Sequence, residues 1–87
     1  MKAEKMTEAV ASQTLGEKRV RTTFNPSNNS LVDQIKQKTA ELINLVQEIP
    51  LHDFDRDCER DRLTDLAEDR YEEAAMWAVK AATLSFK

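Results

Sequence analysis

Two long stretches of this 87-residue chain, 27–49 and 51–87, contain neither glycine nor proline. Gly16, Pro26 and Pro50 are the only residues of those two types. Sheets need glycine-rich turns and alternating β-branched residues, whereas uninterrupted runs rich in Ala, Leu, Glu, Lys and Arg favour helix. The sequence therefore predicts an all-α fold built on two long helices, one ending at Pro50 and one following it.

The first helix is predicted from about Ser30 to about Glu48. Ser30 is placed as its N-cap, with Ser27 as the alternative and Asp33 favouring the positive helix start. Leu31, Ile35, Leu42, Ile43, Val46 and Ile49, supplemented by Thr39 and Leu45, recur at steps of three and four and define its buried face. Pro50 disfavours helical geometry in the residue before it. The second helix is predicted from Cys58 or Glu59 to about Leu84. Its stripe is Leu63, Leu66, Ala67, Ala74, Trp77, Ala78 and Ala81, with Tyr71 at the margin. The alanines allow close approach of a second helix.

A short acidic link, "LHDFDRDC", makes the pair an antiparallel helical hairpin. A hairpin has one layer on each side. Leu31, Val32, Leu45, Met76 and Val79 ask for further cover, most simply from other copies in a closed symmetric oligomer. Upstream, residues 3–14 are predicted as a short helix around Met6 and Val10. Residues 15–30 read as a connector, with Gly16 breaking the helix, "RVRTT" extended and "NPSNNS" a turn. The chain thus divides into an N-terminal extension with a short helix, 1–20, and a helical-hairpin domain, 21–87.

Charge excludes several classes of function. The net charge is −3, and ten acids face four arginines over residues 51–73. No continuous basic track exists for DNA or RNA polymers. No apolar run approaches the roughly 20 residues that cross a bilayer. The single cysteine, Cys58, cannot form an internal disulfide, which suits a reducing cytoplasm. "DFDRDCERDRLT" alternates acids like a calcium loop, yet Cys58 and Thr64 occupy the positions that need glycine and glutamate. His52 and Cys58 are too few for a zinc site, and no phosphate loop or Ser/His/Asp set is present. No catalytic residue, metal or cofactor is expected.

A cluster of anion-binding chemistry remains. It comprises Arg21, Phe24, Asn25 and Ser27 around the turn, Lys36, Lys38 and Thr39 early in the first long helix, and Trp77 with Lys80 in the second. A helix start, a hydroxyl and a lysine together suit an anion, and an aromatic ring suits a base. Each piece also has a plainer role: Phe24 as a hydrophobic staple, Trp77 as core, and the lysines as solvated surface. Lys36 lies off the apolar stripe, so Lys36→Ala is expected to leave the fold intact.

Taken together, "FNPS…LVDQIKQKTAELINLV…EEAAMWAVKAAT" resembles the small phage-encoded sponges that counter CBASS, the bacterial antiphage defence signalled by cyclic oligonucleotides. A hairpin domain of this type is shared with phage sponges for cyclic ADP-ribose signals. The resemblance covers roughly Arg21 to Phe86. It implies a homohexamer, in the cytoplasm of an infected bacterium, that holds cyclic dinucleotides, and in some members cyclic trinucleotides, without hydrolysing them. It implies phosphate contacts at Lys36 and a basic contact at Lys80. Arg21 stands where some relatives carry a base-stacking tyrosine, leaving Phe24 or the Arg21 guanidinium to stack. Lys38 stands at a threonine of the trinucleotide pocket, with Thr39 adjacent. The competing readings are a helical adaptor docking on a partner protein and an enzyme cleaving the same ligands.

Overall fold

The computed structural model describes residues 12–50 and 58–85, and these form three helices: α1 (Leu15–Val20), α2 (Ser30–Val46) and α3 (Cys58–Thr83). No strand occurs among the described residues. Helices α2 and α3 make the antiparallel hairpin expected from the sequence. Asn29 Nδ2, at the start of α2, donates to the carbonyl of Ala82 near the end of α3 at 3.3 Å. The proposed helix over 3–14 and the acidic link over 51–57 lie outside the described residues.

The connector assignment is corrected by α1. Thr14 and Glu17 form a capping box: Thr14 Oγ1 accepts from the Glu17 N–H at 3.2 Å, and Glu17 Oε1 accepts from the Thr14 N–H at 2.9 Å. Gly16 is a point of contact instead of a breaker. A Cβ on Gly16 would sit 2.1 Å from the Ala40 carbonyl oxygen, so only glycine permits α1 to rest this closely on α2. The Gly16 N–H donates to Asn44 Oδ1 at 2.9 Å, and Asn44 Nδ2 donates to Thr14 Oγ1 at 3.0 Å. "RVRTT" is likewise not extended: Arg19 and Val20 are helical, and Arg21 ends α1 in the left-handed region at φ 60°.

The N-cap of α2 is Asn29, not Ser30 or Ser27. Its Oδ1 accepts from the Leu31 N–H at 2.8 Å, satisfying one of the unpaired donors of the first turn. The helix ends at Val46, two residues short of the predicted Glu48.

The buried faces differ from the predicted stripes. On α2 the buried residues are Val32, Lys36, Ala40 and Ile43, while Leu31 and Leu42 are exposed. On α3 they are Thr64, Glu68 and Ala75, with Tyr71 packed on the core. Leu63, Leu66, Ala74, Trp77 and Ala81 face outward. Polar pairing explains the choice. Glu68 lies inside because Arg19 reaches it at 3.5 Å and Gln47 Nε2 donates to it, and a buried carboxylate needs such partners. Small Ala40 and Ala75 then let the helices close around Ile43 and Val20. The most apolar stripe of α3 stays uncovered within one chain.

Candidate functional site

Helix α1, the turn after it and the two long helices border a half-open cavity of about 390 Å³, near the lower end of the ~300–1,000 Å³ typical of small-molecule sites. Arg19, Val20, Arg21 and Phe24 line it from α1 and the turn, and Lys36 from α2. Glu72, Ala75, Met76 and Val79 line it from α3.

Lys36 organises this region. Its side chain is buried, and its Nζ donates to the carbonyl of Arg21 at 3.1 Å and to the carbonyl of Phe24. The ammonium lies 5.3 Å from the centre of the Phe24 ring, and the Arg21 guanidinium lies 4.3 Å from it, both within cation–π range. Burial holds the Lys36 ammonium below the ordinary lysine pKa, the nearby Arg21 charge adds to that, and Asp33 partly opposes it. Neither Arg21 nor Lys36 forms a salt bridge with a described carboxylate. Two cations and an aromatic face therefore meet at one cavity with no carboxylate paired to them.

Arg19 is a cation of a different kind. Its Nε donates to Glu72 Oε1 at 2.6 Å and its Nη2 to Asp69 Oδ1 at 2.7 Å, with Glu68 at 3.5 Å from Nη1. Its pKa is raised, by Asp69 foremost, against the opposing effect of burial, with Glu72 adding to the rise. The guanidinium is paired with three carboxylates of α3.

The other candidate residues separate. Asn25 and Ser27 line an adjoining cleft of about 220 Å³, shared with Phe24 and Lys36. Their polar atoms build the turn: Asn25 Nδ2 donates to the Asn29 carbonyl at 2.9 Å and to Asp33 at 3.0 Å, and Ser27 Oγ donates to Asn25 Oδ1 at 2.6 Å. Lys38 is exposed, and Thr39 Oγ1 donates to the Ile35 carbonyl at 2.7 Å. Neither lines either cavity. Trp77 is not core. It is 61% exposed, with the Lys80 ammonium 5.5 Å from its ring centre and its Nε1 donating to Glu73 at 3.5 Å. This pair stands on a different face of α3 from Glu72, Ala75 and Val79.

Sequence reasoning did not find Arg19, Glu72, Met76 or Val79 as cavity residues. Arg19 sat in a supposed connector and Glu72 in a long acidic run. The only signal was the helical spacing of 72, 75, 76 and 79. Among the described residues no group of His, Cys, Asp and Glu is arranged to hold a metal ion, and no helix is long and apolar enough to cross a membrane.

Comparison with known proteins adds one match. Searches among curated proteins and among solved structures find no significant relative. A family model described as "Acb2/Tad1, hairpin domain" matches residues 17–83, from within α1 to the last residue of α3. With both long helices and the cavity between them inside that match, the chain belongs to the Acb2/Tad1 hairpin-domain family, the anti-CBASS sponges, which is a family of binding proteins and not of enzymes.

Proposed function

We propose that this protein sequesters cyclic dinucleotide second messengers without cleaving them, so that antiphage effectors in the infected bacterial cytoplasm are not activated. The observation that carries this reading is the meeting of Arg21, Lys36 and Phe24 at one cavity, with both cations free of carboxylate partners. Charge-assisted hydrogen bonds to phosphate suit the two cations. A phosphate also supplies the counter-charge that burial withholds from Lys36. The aromatic–guanidinium pair of Phe24 and Arg21 offers a flat face to a base.

A cyclic dinucleotide has two phosphates and two bases, and one cavity of this size suits about half of it. Two copies related by a twofold axis would clasp the whole ligand. The outward stripe of Leu63, Leu66 and Trp77 supports such assembly, because an exposed apolar patch of this kind marks an interaction surface. A closed homohexamer is the assembly proposed. Lys38, Thr39 and Lys80 lie apart from the cavity and are the proposed contribution of each chain to a second, trinucleotide site formed between copies.

The test is calorimetry with a panel of cyclic di- and trinucleotides, followed by denaturation and recovery of the ligand. Tight binding with intact ligand recovered supports the sponge. Linear product indicates an enzyme, and absence of binding favours an adaptor that docks on a partner protein.

A further inference from the structure

The cavity is not uniformly basic. Glu72 reaches its wall from α3, while Arg21, Phe24 and Lys36 reach it from the turn and α2. A carboxylate beside two cations is unfavourable for a ligand made only of phosphate. It is favourable for a ligand that carries an anion at one place and N–H donors at another. Glu72 is also held in place: Arg19 Nε donates to its Oε1 at 2.6 Å, and Arg19 is in turn fixed by Asp69 at 2.7 Å. Its Oε2 accepts no hydrogen bond from any described residue. The Glu72 side chain is only 35% exposed. An oriented, half-buried carboxylate with an open oxygen is a recognition group for paired N–H donors.

The geometry points to Glu72 as the base-reading residue of the cavity, selecting a guanine through its adjacent ring N–H and exocyclic amino group, with Arg19 as the positioning residue behind it. This inference rests on the nucleotide-sponge reading and specifies its base preference. Of the common bases, guanine presents two neighbouring donors on its pairing edge. Adenine presents an amino group beside a bare ring nitrogen that a carboxylate repels. Uracil presents one N–H flanked by two carbonyls, which repel a carboxylate on both sides. Phosphate binding at Lys36 and Arg21 is common to all three, so Glu72 supplies the difference between them.

The test is calorimetry of the full chain with cyclic di-GMP, cyclic di-AMP and cyclic di-UMP, for the wild type, Glu72→Gln and Asp69→Asn. Asp69 also holds Arg19 but does not line the cavity, so Asp69→Asn reports loosening of Arg19 alone. The wild type is expected to bind the guanine ligand most tightly. Glu72→Gln keeps one acceptor but loses the charge, and should cut the guanine-to-uracil affinity ratio about tenfold. Asp69→Asn should lower that ratio by less than Glu72→Gln does, because it loosens the positioning Arg19 but leaves the reading carboxylate in place. An unchanged ratio in Glu72→Gln, or an equal drop in both variants, overturns the assignment. Tightest binding of the adenine or uracil ligand also overturns it and leaves the sponge reading standing. Failure of the wild type to bind all three overturns both.

Discussion

Lys36 Nζ donates to the backbone carbonyl of Arg21 at 3.1 Å, tying the middle of α2 to the left-handed residue that ends α1. The same ammonium holds the Phe24 carbonyl. Lys36 therefore shapes the turn that carries Arg21 and Phe24, besides facing the cavity. Lys36→Ala is not the binding-only substitution expected from the sequence. It should lower stability by about 1–3 kcal/mol through loss of these bonds. It should also weaken cyclic-dinucleotide binding by at least about tenfold. Thermal denaturation and calorimetry on the same sample read the two effects. Unchanged stability would show that the turn holds without Lys36.

Phe24→Ala should weaken ligand binding by about 1–3 kcal/mol, the range for loss of one base-stacking platform. The ring also backs the Arg21 guanidinium at 4.3 Å, so Arg21 should lose order with it. Because stacking is not driven by charge, the affinity lost should change less with salt than that lost in Lys36→Ala. Titrations at low and high salt compare the two variants.

Gly16→Ala should cost at least about 1–3 kcal/mol, the range for overpacking a close contact. The added methyl would meet the Ala40 backbone, which cannot swing aside as a side chain does. Displacing α1 moves Arg19, Val20 and Arg21 together, so ligand affinity should fall with stability although Gly16 does not line the cavity. Chemical denaturation with parallel calorimetry tests this. A stable variant of normal affinity would show that α1 adjusts freely on α2.

Trp77→Ala should weaken assembly more than it weakens the single-chain fold, because the ring is 61% exposed within one chain. Light scattering across micromolar concentrations should show a smaller mass than the wild type, while circular dichroism keeps its helical signal. A wild-type mass equal to that of one chain would rule out the proposed hexamer and the shared pocket with it.

The charge on Lys36 should be lost at lower pH than that of an exposed lysine, since burial, reinforced by Arg21, disfavours the protonated form. Affinity for an anionic ligand should accordingly fall as pH rises toward the lysine range. Stability of the ligand-free protein should move the other way over the same window. The folded chain binds this proton less tightly than the unfolded chain, so the cost of charging Lys36 is fully present below its folded pKa and is relieved as pH climbs to the unfolded value. Calorimetry and melting curves from about pH 7 to about pH 10 follow both trends. Lys36→Arg, which stays charged throughout, should flatten them.

By itself the sequence determined the helical class, the two long helices and their antiparallel pairing. Those follow from local chemistry: the absence of breakers over 27–49 and 51–87, and Pro50 between the two runs. It also marked Arg21, Phe24 and Lys36, because cations and an aromatic around one turn stand out in an acidic chain. Which faces meet was decided only in three dimensions. A count of apolar residues chose Leu63, Leu66 and Trp77 for the interior of α3, yet the folded chain buries Thr64, Glu68 and Ala75. A helix packs by shape and by pairing of its polar groups as well as by hydrophobicity. The partners that draw Glu68 inward, Gln47 and Arg19, lie 21 and 49 positions upstream. No local pattern reports partners at those distances. The same long-range pairing set Glu72 into the cavity wall, giving a candidate site legible as basic in the sequence a carboxylate that only the tertiary structure put there.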